Sequence, residues 1–144
     1  MKLALFNDHR PGLVTGDRIV DIGHIVGDAI MGLAAAQRMP AILERYSELR
    51  GALARLDGGV PRSEVRLRAP LPRPGKILCA IGNYTEGVPG VVLPLGIFLK
   101  ASNSVLDPHG TVVLPKKQAN VFHHEAELCV VIGKAAKDVS RAAR

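Results

Sequence analysis

The clearest periodic signal in the chain is helical. Ile42, Tyr46, Leu49, Leu53 and Leu56 recur at steps of four and three, which places them on one face of a helix. Pro40 suits the first turn of that helix, and Gly58-Gly59 ends it. Residues 28–37 are Ala-rich and helical in composition. Upstream, residues 2–6 read as a short strand and Pro11-Gly12 as a turn. Residues 13–22 form a second strand-like stretch, broken at Gly16-Asp17 in hairpin fashion. Residues 65–68 alternate apolar and charged, as an exposed edge strand does. The pattern predicts an α+β N-terminal lobe over residues 1–69, within the usual size of a small domain.

Pro70, Pro72 and Pro74 follow at every second position. Proline at that spacing stiffens an extended connector, so the domain boundary is placed here. Residues 70–144 then read as an incomplete β-rich domain. Strands are expected at 76–81, 97–100, 111–114 and 125–132, with turns at Asp107-Pro108-His109-Gly110 and Pro115-Lys116-Lys117. Gly82-Asn83-Tyr84 closes the first of these strands, and Gly87, Pro89 and Gly90 mark an irregular loop. Ser140 reads as the N-cap of a helix. Only residues 141–144 follow it, barely one turn, which suggests a truncated chain.

Composition narrows the class. Hydrophobic residues at 47% and charged residues at 22% are ordinary for a globular domain. With 3% aromatic residues and no Trp, the core has to be aliphatic. No apolar run approaches a membrane span, and the N-terminus turns polar too soon for a signal peptide; a cytoplasmic location and no membrane partner are expected. Cys79 and Cys129 lie far apart in apolar runs and read as buried, reduced thiols. The net charge of +6 raises nucleic acid as a partner. Arg62, Arg66, Arg68, Arg73, Lys116, Lys117, Lys134, Lys137, Arg141 and Arg144 are scattered, however, without aromatic residues among them to stack on bases. A solvated basic surface is the better reading.

Chemistry concentrates in His123-His124-Glu125-Ala126-Glu127-Leu128-Cys129. In a strand, Glu125 and Glu127 face the same way. Two such carboxylates repel each other and cost desolvation, and a bound Mg²⁺, Mn²⁺ or Ca²⁺ removes both penalties. The bland alternative is an edge strand with two solvated glutamates. His123 and His124 are open to roles as ligand, proton carrier or surface residue. Asn83 and Tyr84 sit where a loop leaves a sheet end, a common place for sites. Lys100 either holds a substrate carboxylate or marks a strand end.

An ordered set of motifs extends this reading. Pro72-Arg73-Pro74-Gly75-Lys76-Ile77-Leu78-Cys79, Gly82-Asn83-Tyr84, Phe98-Leu99-Lys100, Val112-Val113-Leu114-Pro115, and His124-Glu125-Ala126-Glu127-Leu128 through Val131-Ile132-Gly133-Lys134 occur in this order. Together they resemble the fumarylacetoacetate hydrolase family, closely over residues 70–140 and loosely before. The resemblance implies part of a rolled mixed β-sheet, a homodimer, and action on diketo or hydroxy-dienoic acids. It also implies that Glu125 and Glu127 bind Mg²⁺ or a similar cation (Mn²⁺ or Ca²⁺), with Lys100, Asn83 and Tyr84 on the substrate side.

The chain departs from the family pattern twice. Hydrolytic members continue the Asn-Tyr motif with a His and, three residues later, a Glu, and that pair activates water. Here the matching positions read Gly87 and Gly90, and neither can move a proton. The third carboxylate ligand, an Asp in the family, is expected beyond Arg144; Asn83 matches a position that is an Asp ligand in some members and offers one neutral oxygen. The expectation is therefore a metal-dependent enzyme of oxo or dienoic acids, performing C–C hydrolysis, decarboxylation or isomerisation as in aromatic catabolism. The alternative is an inert fragment or relative that acts by assembling with a partner.

Overall fold

In the computed structural model, which describes residues 1–84, 96–116, 118 and 121–140, the chain opens with an antiparallel meander. Strands β1 (Lys2–Phe6), β2 (Arg10–Thr15) and β3 (Arg18–Asp21) pair in sequence order. Gly16, at φ +60°, makes the β2–β3 hairpin turn at the expected place. Two short strands complete the sheet: β4 (Val60–Pro61) beside β3, and β5 (Leu67–Arg68) beside β1, in the order β4-β3-β2-β1-β5. The edge strand expected near residue 67 is thus an edge strand. Pro11-Gly12 is no turn; both lie in β2, and Pro11 pairs with Leu5 of β1. The partners from β3 begin only at Gly12, so the ring sits near the strand's start, where a missing N–H costs the ladder least.

Four helices follow β3: α1 (Gly23–Val26), α2 (Asp28–Met31), α3 (Ala35–Glu44) and α4 (Tyr46–Leu53). Gly27, at φ +81°, separates the first two. The single helical stretch expected over 28–37 is divided at residues 32–34, between α2 and α3, and Pro40 stands inside α3 rather than in its first turn. Lacking an N–H, Pro40 leaves the Ala36 carbonyl without its helical donor, and α3 ends within a turn of it. The one helix expected to run to Gly58-Gly59 is two, parted at Arg45, and α4 already ends at Leu53. The apolar stripe holds across that break: Ile42, Leu49 and Leu53 are buried with Leu13, Ile22, Val26 and Ile30, while Tyr46 and Leu56 pack against them. This aliphatic cluster is what joins helices to sheet. Gly59 allows the return to β4, because a Cβ there would lie 2.2 Å from the carbonyl oxygen of Ile19.

Beyond β5 the proline-spaced residues form no helix or strand, and a two-stranded antiparallel ribbon follows, β6 (Ile77–Ile81) with β7 (Gly96–Lys100). The ribbon and lobe belong to one compact unit, Met1–Gly110. Polar ties between them converge on Asp107. Its carboxylate accepts the Ala69 N–H at 2.9 Å and Arg68 Nη1 at 2.9 Å, with Arg66 Nη2 at 3.5 Å, the limit of a hydrogen bond. The Ala69 N–H first, then the Arg68 guanidinium, hold the Asp107 carboxyl below the usual carboxylate range. The β1–β2 turn is fastened to the same stretch, since Asn7 exchanges two hydrogen bonds with the Arg66 backbone.

The second compact unit is Thr111–Arg144. Its described residues form no helix or strand, so the strands expected at 111–114 and 125–132 are absent there. A strand exists by virtue of ladder hydrogen bonds and a covered apolar face. Leu128, Val130 and Ile132 instead stand 84%, 74% and 75% exposed. Cys79 is buried as expected, but Cys129 is exposed, for the same lack of a covering layer. The helix expected after Ser140 falls on residues 141–144, outside the described residues, as do Gly87 and Gly90.

Two predictions follow from this packing. Asp107 binds its proton less tightly folded than unfolded, so its contribution is complete above the ordinary value of about 3.9 and fades as pH falls through the lower folded value. Asp107→Asn therefore costs about 1–3 kcal/mol at neutral pH and flattens the acid arm of a denaturation profile; an acid arm superimposable on the parent's contradicts the latch. In native alkylation followed by mass spectrometry, Cys129 is modified well before Cys79. Equal rates at the two thiols contradict the burial described.

Candidate functional site

Asn83 and Tyr84 follow β6 directly, after Gly82 turns the chain at φ +65°. Both are exposed at the end of the ribbon. Lys100 is the last residue of β7 and pairs with Ile77, at the opposite end of β6 from Asn83. Its ammonium lies 5.8 Å from the centroid of the Phe98 ring, close enough for a cation–π contact on an exposed surface. The register explains this: residues 98 and 100 project from the same side of β7. The ribbon thus places the Asn-Tyr pair and Lys100 at its two ends rather than in one cluster.

Glu125 and Glu127 lie in the second unit, both exposed, and neither takes part in a hydrogen bond or ion pair among the described residues. His123 and His124 are exposed beside them. Among the described residues no three His, Cys, Asp or Glu side chains gather into a group able to hold a metal ion. The donors nevertheless fit a hard divalent cation in kind. Carboxylate oxygens without protein partners are available to it, and Mg²⁺ is commonly held by only one or two carboxylates with water and substrate filling the shell. Gly87 and Gly90, which occupy the positions where hydrolytic members carry the dyad, lie outside the described residues.

Sequence reasoning did not single out Asp107 or Asp21, and the structure gives both defined settings. Asp21 receives Arg10 Nε, and its Oδ1 accepts the Gly23 N–H at 2.8 Å. Burial, the largest single influence, pushes the Asp21 carboxyl up. The hydrogen bonds from Arg10 and Gly23, with the charges of Arg10 and His24, outweigh it and leave Asp21 below the usual range. It joins β2 and β3 to the entrance of α1, a structural role. No sequence spacing announces either aspartate, because their partners lie 11 and 38 residues away.

Residues 76–144 match the family model for the C-terminal domain of fumarylacetoacetate hydrolase. A maleylpyruvate hydrolase from Aquipseudomonas alcaligenes is 34% identical over 98% of this chain and 55% of its own length. A human mitochondrial oxaloacetate tautomerase is 41% identical over 65% of this chain and 31% of its own. Among solved structures, maleylpyruvate hydrolase from Sphingobium sp. SYK-6, crystallised with manganese(II) and pyruvate, is 30% identical with a TM-score of 0.53 over 71% of this chain and 38% of that one. The chain spans about half the length of the first of these relatives and about a third of the others. The ordered motifs from the Asn-Tyr turn to the paired glutamates, an α+β fold and these matches agree, and the chain belongs to the fumarylacetoacetate hydrolase family.

Proposed function

We propose that this chain supplies the N-terminal lobe, residues 1–69, and the metal-holding part, residues 70–144, of a divalent-metal-dependent enzyme acting on oxo, diketo or hydroxy-dienoic acids. The observation that carries this reading is the pair Glu125 and Glu127, two carboxylates one residue apart with no protein partner among the described residues. They stand in a chain similar from end to end to a maleylpyruvate hydrolase. In this reading the two glutamates hold Mg²⁺ or Mn²⁺; manganese is the ion present in the Sphingobium relative. When bound, such a cation supplies Lewis-acid stabilisation to enolate-like charge. Lys100 offers a mobile point charge to a substrate carboxylate, and its Phe98 contact orients the ammonium. Asn83 and Tyr84, at the opposite end of the ribbon from Lys100, contact a ligand separately from it in this reading.

C–C hydrolysis, decarboxylation and isomerisation all pass through enolate-like charge, so the donor set serves each. Glycine at 87 and 90 removes the water-activating pair that hydrolytic members carry, and favours isomerase or decarboxylase chemistry. The oxaloacetate tautomerases among the relatives lend support to that side. A cytoplasmic homodimer is part of the same proposal; among the described residues no helix is long and apolar enough to cross a membrane. A second reading keeps the chain inert by itself and active only in assembly with a partner. The exposed apolar residues of the second unit favour it: Leu128, Val130 and Ile132 call for a covering surface.

The test is an assay of the chain for maleylpyruvate cleavage, oxaloacetate tautomerisation and decarboxylation, and dienoate isomerisation with added Mg²⁺ or Mn²⁺. One of these activities is expected, and Glu125→Ala lowers it by at least the roughly 10–100-fold that loss of an outer-shell partner of a metal ligand costs. Activity unchanged by Glu125→Ala overturns the assignment of Glu125 as a metal ligand. No activity in any assay, with unaltered folding, selects the second one.

A further inference from the structure

The basic residues that look scattered along the chain are partly gathered by the fold. The turn Asp107–Gly110 closes on itself through the Gly110 N–H to the Asp107 carbonyl at 2.9 Å, with His109 in the left-handed region at φ +63°. The Asp107 carboxylate then holds this turn against residues 66–69. Between the turn, the β2–β3 hairpin and the stretch following β4 lies an open cleft of about 640 Å³. Arg62, Ser63, Arg66 and His109 line it with Val65, Leu67 and Pro108; Asp17 and Asp107 are its acids.

Which of these charges are already engaged decides what the cleft can take. Asp107 is matched by Arg68 and the Ala69 N–H at 2.9 Å each, so its negative charge is largely answered before a ligand arrives. Arg66 is only loosely engaged, at 3.5 Å from Asp107 with its side chain 69% exposed. The guanidinium of Arg62 makes no hydrogen bond or ion pair among the described residues; only its backbone N–H is used, to the Asp17 carbonyl at 2.7 Å. The Ser63 hydroxyl and the His109 imidazole likewise have no partner among the described residues. Two guanidiniums and a hydroxyl are thus available on one wall, and guanidinium forks match carboxylate and phosphate oxygens. Among the described residues, Asp17 is the one acid of the cleft whose carboxylate has no hydrogen bond or ion pair.

We propose that the cleft where Arg62, Ser63 and Arg66 face the Asp107–Gly110 turn is a binding site for a small oxyanion, a carboxylate or a phosphate. The site is separate in composition from Glu125 and Glu127 and stands whether or not those residues hold a metal. Asp17 weakens it by a single charge and so gives it a signature: removing a negative charge tightens it, and removing a positive one loosens it. A surface that is merely solvated gives no saturable binding on which such a paired response could be read.

The experiment is a titration of the isotope-labelled chain with inorganic phosphate and, separately, with succinate, at constant ionic strength, read by amide and Arg Nε chemical shifts. Saturable shifts are expected at residues 62–67 and 107–110. Arg62→Gln and Arg66→Gln each weaken binding roughly fivefold, the factor for losing one exposed charge contact, and Asp17→Asn tightens it by a similar factor. Glu125→Ala leaves it unchanged. The stronger of the two probes identifies phosphate or carboxylate as the preferred source. Absence of saturable shifts in the cleft with both probes overturns the proposal, as does binding indifferent to all three cleft substitutions. Neither arginine belongs to the buried core, so core amide shifts that match the parent's show that the variants are folded.

Discussion

A strand persists in water only when its backbone ladder is paired and its apolar face is covered by another layer. The two compact units of this chain differ in how far they meet that requirement. In the first, β1, β2 and β3 pair along their lengths, and the helices lay Ile42, Leu49 and Leu53 against Leu13 and Ile22. In the second, the described residues form no ladder, and the apolar residues around the paired glutamates stay exposed. The β6–β7 ribbon lies between these conditions. It is paired, yet Leu78, Ile97 and Leu99 are 63%, 61% and 66% exposed. Its register is set by its own ladder, and its attachment to the lobe is strengthened by the Asp107 carboxylate rather than by a thick apolar contact.

This constraint explains what was legible in the sequence. Local signals survived: the Gly16-Asp17 hairpin, the helical stripe from Ile42 to Leu56, and β6 and β7 ending where Gly82 and Lys100 stand. The misread places are those where a residue's intrinsic preference yields to neighbours. Pro11 stays within β2 because it pairs there with Leu5 of β1. Pro40 is carried inside α3 because residues on both sides of it, Met39 and Ile42, are buried. The run from Glu125 to Ile132 alternates as a strand should, but alternation describes a face and cannot supply the layer that covers it. Cys129 belongs to that run and is exposed with it.

The candidate functional residues divide in the same way. Asn83, Tyr84 and Lys100 could be placed on the ribbon from sequence, because turns and strand ends are local features. Glu125 and Glu127 are proposed from spacing and from the motifs around them, and the structure brings no third donor to them among the described residues. Asp107 and the arginine-lined cleft beside it could not be read from sequence. Their geometry depends on bringing residues 66–69 against residue 107, a long-range contact that no periodicity encodes. For the proposed metal site, binding at Glu125 and Glu127 and folding of the second unit are one question, since carboxylates on an uncovered segment have no fixed geometry of their own.

The central claim is that Glu125 and Glu127 together hold a divalent cation, and direct metal binding tests it without assuming a reaction. Titration of the chain with Mn²⁺, following free ion by electron paramagnetic resonance, is predicted to show saturable binding at one site per chain. Glu125→Ala combined with Glu127→Ala is predicted to abolish that site while leaving the folded lobe intact by circular dichroism. Saturable binding that survives the double substitution, or no saturable binding by the parent chain, would contradict the account.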